Sequence, residues 1–382
     1  MSHRAKAAGR VYFTALIGLD DVMAVQSFLH QTRRAQRWPR AIVVGLLLSA
    51  WTAGVPAADN EATTPQTYTF LFENDLFGDR DAQYTNGLKV SWLSGDLHRL
   101  ENRPEVPPWL LGLVQKLNAF ERRLTADDRR QFNFGFAVGQ QMFTPDDIQT
   151  SSLVVDDRPY AGWLYGALSF VSKTSRVADT IEFQGGVIGP ASLAQQAQDL
   201  VHEIRDIPKA RGWGKQLDTE PGFVIFYERK WRLQRMMFVD DLGYDFITHA
   251  GLALGNVYDY GAAGGELRFG WKLPDDFGTS LIRPGGDANA PTASSTRVRG
   301  LGVYGFAAVS GRLVGRNIFL DGNSFGDSHS VDKKLLVGDL IVGASLVYRS
   351  AKLSYAQVFR TKEFDGQRGT HNFGSISLSL SF

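Results

Sequence analysis

The chain ends on Asn372-Phe373-Gly374-Ser375-Ile376-Ser377-Leu378-Ser379-Leu380-Ser381-Phe382, in which Ile376, Leu378, Leu380 and Phe382 alternate strictly with serine. Successive side chains of a strand point to opposite faces, so one face here is apolar and the other carries only hydroxyls. At the edge of a soluble sheet such a strand would invite pairing with other chains. In the wall of a membrane barrel both faces have a use: apolar to lipid, small and polar to the lumen, with a closing aromatic at the interface.

The same period of two recurs upstream. It appears at Tyr68–Phe72, Leu88–Trp92, Phe132–Phe136, Trp163–Phe170, Thr180–Phe183, Phe223–Trp231, Asp245–Asn256, Glu266–Lys272, Gly300–Leu320, Leu335–Tyr348 and Lys352–Phe359. With the terminal strand this makes about twelve, an even number as single-chain bacterial barrels require. A closed barrel pairs every backbone amide in lipid without leaving an edge. The expected fold class is therefore all-β, a transmembrane antiparallel up-and-down barrel of about 12 strands, with a short helix in one extracellular loop.

Composition agrees where it bears on this. Forty glycines and 12% aromatics suit alternating strands, and the absence of cysteine removes disulfides, thiolate chemistry and Cys-ligated metal. A formal charge of +1 offers no basic field for nucleic acid, so no nucleic-acid partner is expected. Near the start, the basic stretch Arg33–Arg40 precedes the apolar run Ala41–Trp51 and the small residues around Ala57. That order reads as a secretory signal, too short to span a bilayer, inside an extended N-terminal region 1–57 with Met23 as an alternative start. The barrel domain is then 58–382, and the destination is the bacterial outer membrane.

If the first strand runs outward from the periplasm, every odd-to-even connection faces outside. These connections hold the unusual polar residues: Asn74–Asp81 leading to Tyr84-Thr85-Asn86-Gly87, then Asp156–Gly162, the segment Pro190–Ile204, Asp321–His329 and Glu363–Gln367. Two even-to-odd connections, Gly95–Arg130 and Pro274–Arg299, are longer than periplasmic turns usually are, and no function is read from either. The first holds Trp109–Val114, expected to form a short amphipathic helix.

Pro190–Ile204 breaks the β pattern. Gln198 and His202 stand four residues apart and share a helical face, with Pro190 where a first turn tolerates it. Taken alone, a histidine on a loop helix is most often simply solvated. No Gly-x-Ser-x-Gly elbow, His-Glu-x-x-His pattern or phosphate-binding glycine loop occurs. What remains is Asn74 and Asp75 at the end of the first strand, the hydroxyl of Thr85 across the hairpin, and His202. Hard oxygen donors beside one imidazole suit a divalent cation that polarises an ester carbonyl and a neutral histidine that activates water.

Together and in this order, Phe72-Glu73-Asn74-Asp75-Leu76-Phe77, Tyr84-Thr85-Asn86-Gly87, Asp157-Arg158-Pro159-Tyr160-Ala161-Gly162, Gly189-Pro190 with Gln198 and His202, Gly212-Trp213 with Gln216, and Asp321-Gly322-Asn323 resemble the outer-membrane lipid A 3'-O-deacylase family. The resemblance covers essentially the whole mature chain. It implies a twelve-stranded barrel whose site lies at the outer-leaflet end, between the wall and a loop helix, and a mechanism like that of phospholipase A2 with Ca2+ or another divalent cation. It implies His202 as base, Asp75 with Asn74 supporting the cation, Thr85 as a further catalytic contact, and Gln198 and Arg158 toward substrate. The substrate would be lipid A of lipopolysaccharide in the outer leaflet. No group orienting His202 is read from the residues after it, and no oligomeric state. A non-catalytic barrel such as a porin, and an outer-membrane phospholipase, are the alternative functions.

Overall fold

The computed structural model describes residues 65–75, 83–96, 112, 131–286 and 298–382. The basic and apolar runs of the signal region, the loop residues Leu76–Asp81 and, Gly112 apart, the segment Trp109–Val114 lie outside the described residues.

Twelve antiparallel strands close into one barrel in which each strand pairs with its sequence neighbours and the first pairs with the last. They are β1 (Thr67–Asn74), β2 (Gln83–Leu93), β3 (Gln131–Thr144), β4 (Ala161–Lys173), β5 (Val177–Ile188), β6 (Glu220–Met237), β7 (Leu242–Gly255), β8 (Tyr258–Trp271), β9 (Val298–Asn317), β10 (Leu336–Arg349), β11 (Ala351–Arg360) and β12 (His371–Ser381). Closure runs from Thr67 opposite Ser381 to Asn74 opposite Gly374. The hydroxyls of Thr67 and Thr69 meet those of Ser381 and Ser379 across that seam, each at 3.0 Å. The serine face of the last strand therefore points inward, as its alternation predicts.

The outward rows carry Tyr68 and Phe70 on β1, Leu88 and Val90 on β2, Phe136 and Val138 on β3, and comparable residues on later strands, all exposed. A belt of this kind is stable only against hydrocarbon. The inward rows carry buried Lys89, Glu182, Glu228, Lys230, Asp245, Arg268 and Lys352. Inside a closed wall such charges must pair, and Arg268 meets the Asp245 carboxylate while Lys230 lies 3.5 Å from Glu228.

One end of the barrel has the short turns at 174–176, 238–241 and 350, which is the periplasmic pattern. The other end has the long loops. Of the two long periplasmic connections, the one after β8 turns up into the lumen. Asp276 pairs with Arg268 and Lys352, Thr279 N–H donates to Glu266 at 3.0 Å, Arg283 pairs with Glu228 at 2.7 Å, and Ile282 N–H donates to Glu73 at 2.7 Å. Glu73 is one residue short of the outer end of β1, so this segment fills much of the barrel's height.

From the outer side, Phe319 of the helical turn Ile318–Asp321 stacks on Phe143 at 4.0 Å and packs near Trp163 and Tyr258. Phe319 and Phe364 are fully buried there. Between Phe143 and the inserted segment at Leu281 lies a cavity of about 110 Å³ lined by charged, tyrosine and apolar side chains together.

Candidate active site

The polar residues singled out at the end of β1 face the outside of the wall. Along β1 the inward positions are Thr67, Thr69, Leu71 and Glu73, all buried, and the outward ones are Tyr68, Phe70, Phe72 and Asn74. Asn74 stands opposite Asn86 of β2, and its amide donates to the Thr85 carbonyl at 3.0 Å. Asp75 follows directly, at the start of the loop, with 0% exposure.

Thr85 owes its direction to an irregularity. The β2–β3 register passes from Tyr84 opposite Phe143 to Asn86 opposite Met142, leaving Thr85 as an extra residue. A bulge of this kind re-aims a side chain without moving the rest of the strand. Tyr84 points into the lumen, its ring 5.3 Å from Phe143 and 5.2 Å from Phe373. Thr85 instead shares a hydrogen bond of 2.7 Å with the hydroxyl of Thr144, an outward position of β3. Asn74, Thr85, Asn86 and Thr144 thus form a polar patch on the lipid side of the barrel, at its outer rim.

The loop after β5 lays a helix on the same face. Gly189 turns the chain at φ +78°, where a Cβ would lie 2.5 Å from the Leu217 carbonyl oxygen, so only glycine fits. A single 3-10 turn holding Pro190 follows, and then α1 (Ala194–Arg205). Gln140 of β3 donates to the Ser192 carbonyl at 2.6 Å, and Ala194 clusters with Met142, Tyr160, Ala210 and Trp213. Across the strands Asn74 opposes Asn86, Asn86 opposes Met142, and Met142 opposes Gly162. At Gly162 a Cβ would strike Ser192 and Ala194. The start of α1 is therefore seated two strands along from Asn86 on the same outward row.

The wall-facing side of α1 that carries Ala194 also carries Gln198 and His202, each 3% exposed. The Gln198 carbonyl accepts from the Trp213 indole at 2.7 Å, which fixes the amide the other way round, its nitrogen buried and without a hydrogen-bond partner among the described residues. His202 Nδ1 lies 2.7 Å from the Pro208 carbonyl. A carbonyl only accepts, so Nδ1 bears the proton and Nε2 of the neutral ring is the basic nitrogen. A backbone oxygen six residues on, brought round by the left-handed turn at Asp206 that ends the helix, thus helps to orient His202.

The donors near Asn74 are one carboxylate, one amide carbonyl and a hydroxyl, hard oxygens suited to a cation such as Ca2+. Among the described residues no three His, Asp or Glu side chains gather at one point. These residues fit a cation that completes its shell with water and substrate oxygens rather than a closed protein cage.

A family model described as outer membrane protein LpxR matches residues 42–382. The chain belongs to this LpxR family. It is accordingly a bacterial outer-membrane protein. Among solved structures, LpxR from Salmonella typhimurium aligns with a TM-score of 0.65 and 18% identity over 83% of this chain and 100% of that one, a likeness of fold. The β domain of the Bordetella autotransporter BrkA aligns at TM-score 0.39 and 9% identity over 84% of this chain and 100% of that one. The translocator domain of NalP from Neisseria meningitidis gives 0.33 and 8% over 95% and 99%. No curated protein sequence matches.

Of the sequence-predicted site residues of this LpxR-family chain, Asn74 and Thr85 touch, Asp75 adjoins Asn74, and Gln198 and His202 share the wall-facing side of α1. Arg158 is engaged elsewhere. Its guanidinium is buried 2.9 Å from Glu363 and lies over the rings of Phe143 and Phe364, so it belongs to the lid over the lumen. Burial pushes the Glu363 carboxyl up, but Arg158 and Arg360 more than offset it and hold it at about 2. Other motifs prove to be scaffold: Asn323 exchanges two hydrogen bonds with the Asp218 backbone, and Tyr160 O accepts from Leu217 N–H at 2.9 Å. Thr144 and Pro208 escape the sequence reading because only folding brings them to Thr85 and His202, and Trp213, part of the Gly212-Trp213 motif, gains its bond to Gln198 only in the fold.

Proposed function

We propose that this protein is an outer-membrane lipid A deacylase, an esterase that hydrolyses the 3'-linked acyloxyacyl chain of lipid A with water activated by His202. The observation that carries the reading is the direction of the polar patch. Asn74, Thr85 and Thr144 take outward positions of the wall at the end that carries the long loops, buried there but turned away from the lumen.

In this reading His202 Nε2 takes a proton from water as the hydroxyl attacks the ester carbonyl, and returns it to the departing sugar oxygen, leaving a free sugar hydroxyl and a carboxylic acid that then releases its own proton to solvent. The Nδ1–H to Pro208 bond holds the ring in the tautomer this needs. Asp75, with the Asn74 carbonyl, would hold a divalent cation. Bound there, the cation would polarise the ester carbonyl and stabilise the developing oxyanion. The Gln198 amide nitrogen, oriented by Trp213, is a donor toward a lipid carbonyl.

A pore is disfavoured by a lumen occupied from below by the segment around Asp276–Arg283 and covered above by Phe319 and Phe364. The test is to incubate the purified, folded barrel with lipid A and, separately, with a glycerophospholipid, each with Ca2+ or EDTA, and to read the products by mass spectrometry. Loss of the acyloxyacyl chain from lipid A alone, abolished by EDTA, is the expected result. Cleavage of the phospholipid instead would assign the phospholipase alternative.

A further inference from the structure

The side of α1 turned away from the wall is divided lengthwise. Leu193, Leu200 and Ile204 are 52%, 59% and 64% exposed. At about 100° per residue they fall within a sector of about 40°, so they form one stripe. Gln195, Gln196 and Glu203, also exposed, lie off that stripe. On a helix immersed in water the stripe would be an aggregation liability. A helix lying in a membrane interface needs this division, with an apolar flank toward hydrocarbon and a polar flank toward water.

The stripe also starts where the lipid belt stops. Gln140 binds the carbonyl of Ser192, the residue before Leu193. Gln140 is the next outward position above Val138 and Phe136 on β3, which are 47% and 48% exposed to lipid. The apolar surface of the wall therefore passes onto the helix without a polar break wider than Gln140 itself.

We propose that the Leu193–Leu200–Ile204 flank of α1 is a docking surface for acyl chains of the outer leaflet. It extends the lipid belt across the rim and lies beside the helix face that carries Gln198 and His202. Resting on the function proposed above, the chain seated on it is that of the lipid whose ester is being hydrolysed, so the flank sets how a membrane-embedded substrate reaches His202.

The native chain has no cysteine, so single reporters are straightforward. Leu200→Cys, Ile204→Cys and, as water-side controls, Gln196→Cys and Glu203→Cys are labelled with an environment-sensitive fluorophore in the full-length barrel. The barrel is reconstituted in phosphatidylcholine vesicles and quenched either by a nitroxide-bearing phospholipid or by iodide. At 200 and 204 the lipid nitroxide is expected to quench and iodide to fail; at 196 and 203 the reverse. Iodide quenching at 200 and 204 equal to that at 203 would overturn the docking surface. So would protection from both quenchers, which would mean a second copy covers the stripe. In parallel, Leu200→Gln with Ile204→Gln should slow hydrolysis of lipid A in bilayers roughly tenfold, the size expected for losing two aliphatic contacts. A wild-type barrel inert toward lipid A would defeat the deacylase reading, and the quenching result would still decide the docking surface by itself.

Discussion

At the scale of single residues, one extra position in β2 decides what faces the lipid. Thr85 turns outward only because the register skips it, and its bond to Thr144 ties β2 to β3 at the rim. Thr85→Val should leave a folded barrel, cost about 1 kcal/mol and lower esterase activity; heat-modifiability on gels checks the first and lipid analysis the second. Arg158 predicts the opposite pattern. Arg158→Ala removes the 2.9 Å pair and leaves the buried Glu363 carboxylate with Arg360 at 3.6 Å; it should destabilise the outer lid by about 1–3 kcal/mol while leaving the outward patch in place, measurable as faster proteolysis of the outer loops. The Glu363 carboxyl is held down at about 2, below its unfolded range. Its contribution is thus complete above about pH 4.5 and lost as the pH falls through about 2. Loop proteolysis should be flat from neutral pH to about 4.5 and rise only below it.

At the scale of elements, alternation in the chain foretold all twelve strands, because a wall with lipid on one side and charge on the other must repeat every second residue. It also foretold α1, from a broken β pattern and the shared face of Gln198 and His202. The bulge at Thr85 left no mark in the period. Nor did the lodging of 272–286 in the lumen, since its partners Glu73, Glu228, Glu266 and Lys352 are spread over four strands. The contact of His202 with the Pro208 carbonyl was hidden for the same kind of reason, since a backbone oxygen leaves no mark in the residue types. How α1 is delivered gives a prediction at this scale. Gly189→Ala must strain a φ of +78° against the Leu217 and Asp218 carbonyls, at a cost of order 1–3 kcal/mol. The barrel should persist while the α1 loop loosens, seen as changed Trp213 fluorescence and reduced activity.

At the scale of the whole molecule, the wall separates two chemistries. Inside are paired charges, an inserted segment and an aromatic lid; outside are a lipid belt and, at its upper rim, the oxygen donors and imidazole of the candidate site. A lumen filled in this way should not conduct, so the folded protein in planar bilayers is expected to give no stepwise ion currents. Steady channels would support the porin alternative. The proposed activity depends above all on His202 acting on a lipid ester from the outer face of this LpxR-family barrel. The most direct measurement is mass spectrometry of lipid A from cells expressing either the native chain or His202→Ala, with both barrels shown to be folded in the outer membrane. The native chain should yield lipid A lacking the 3' acyloxyacyl group, and the variant should lose at least roughly 10²-fold of that activity, as removal of a general base requires. Unaltered lipid A from cells with the folded native barrel, or equal trimming by the variant, would contradict it.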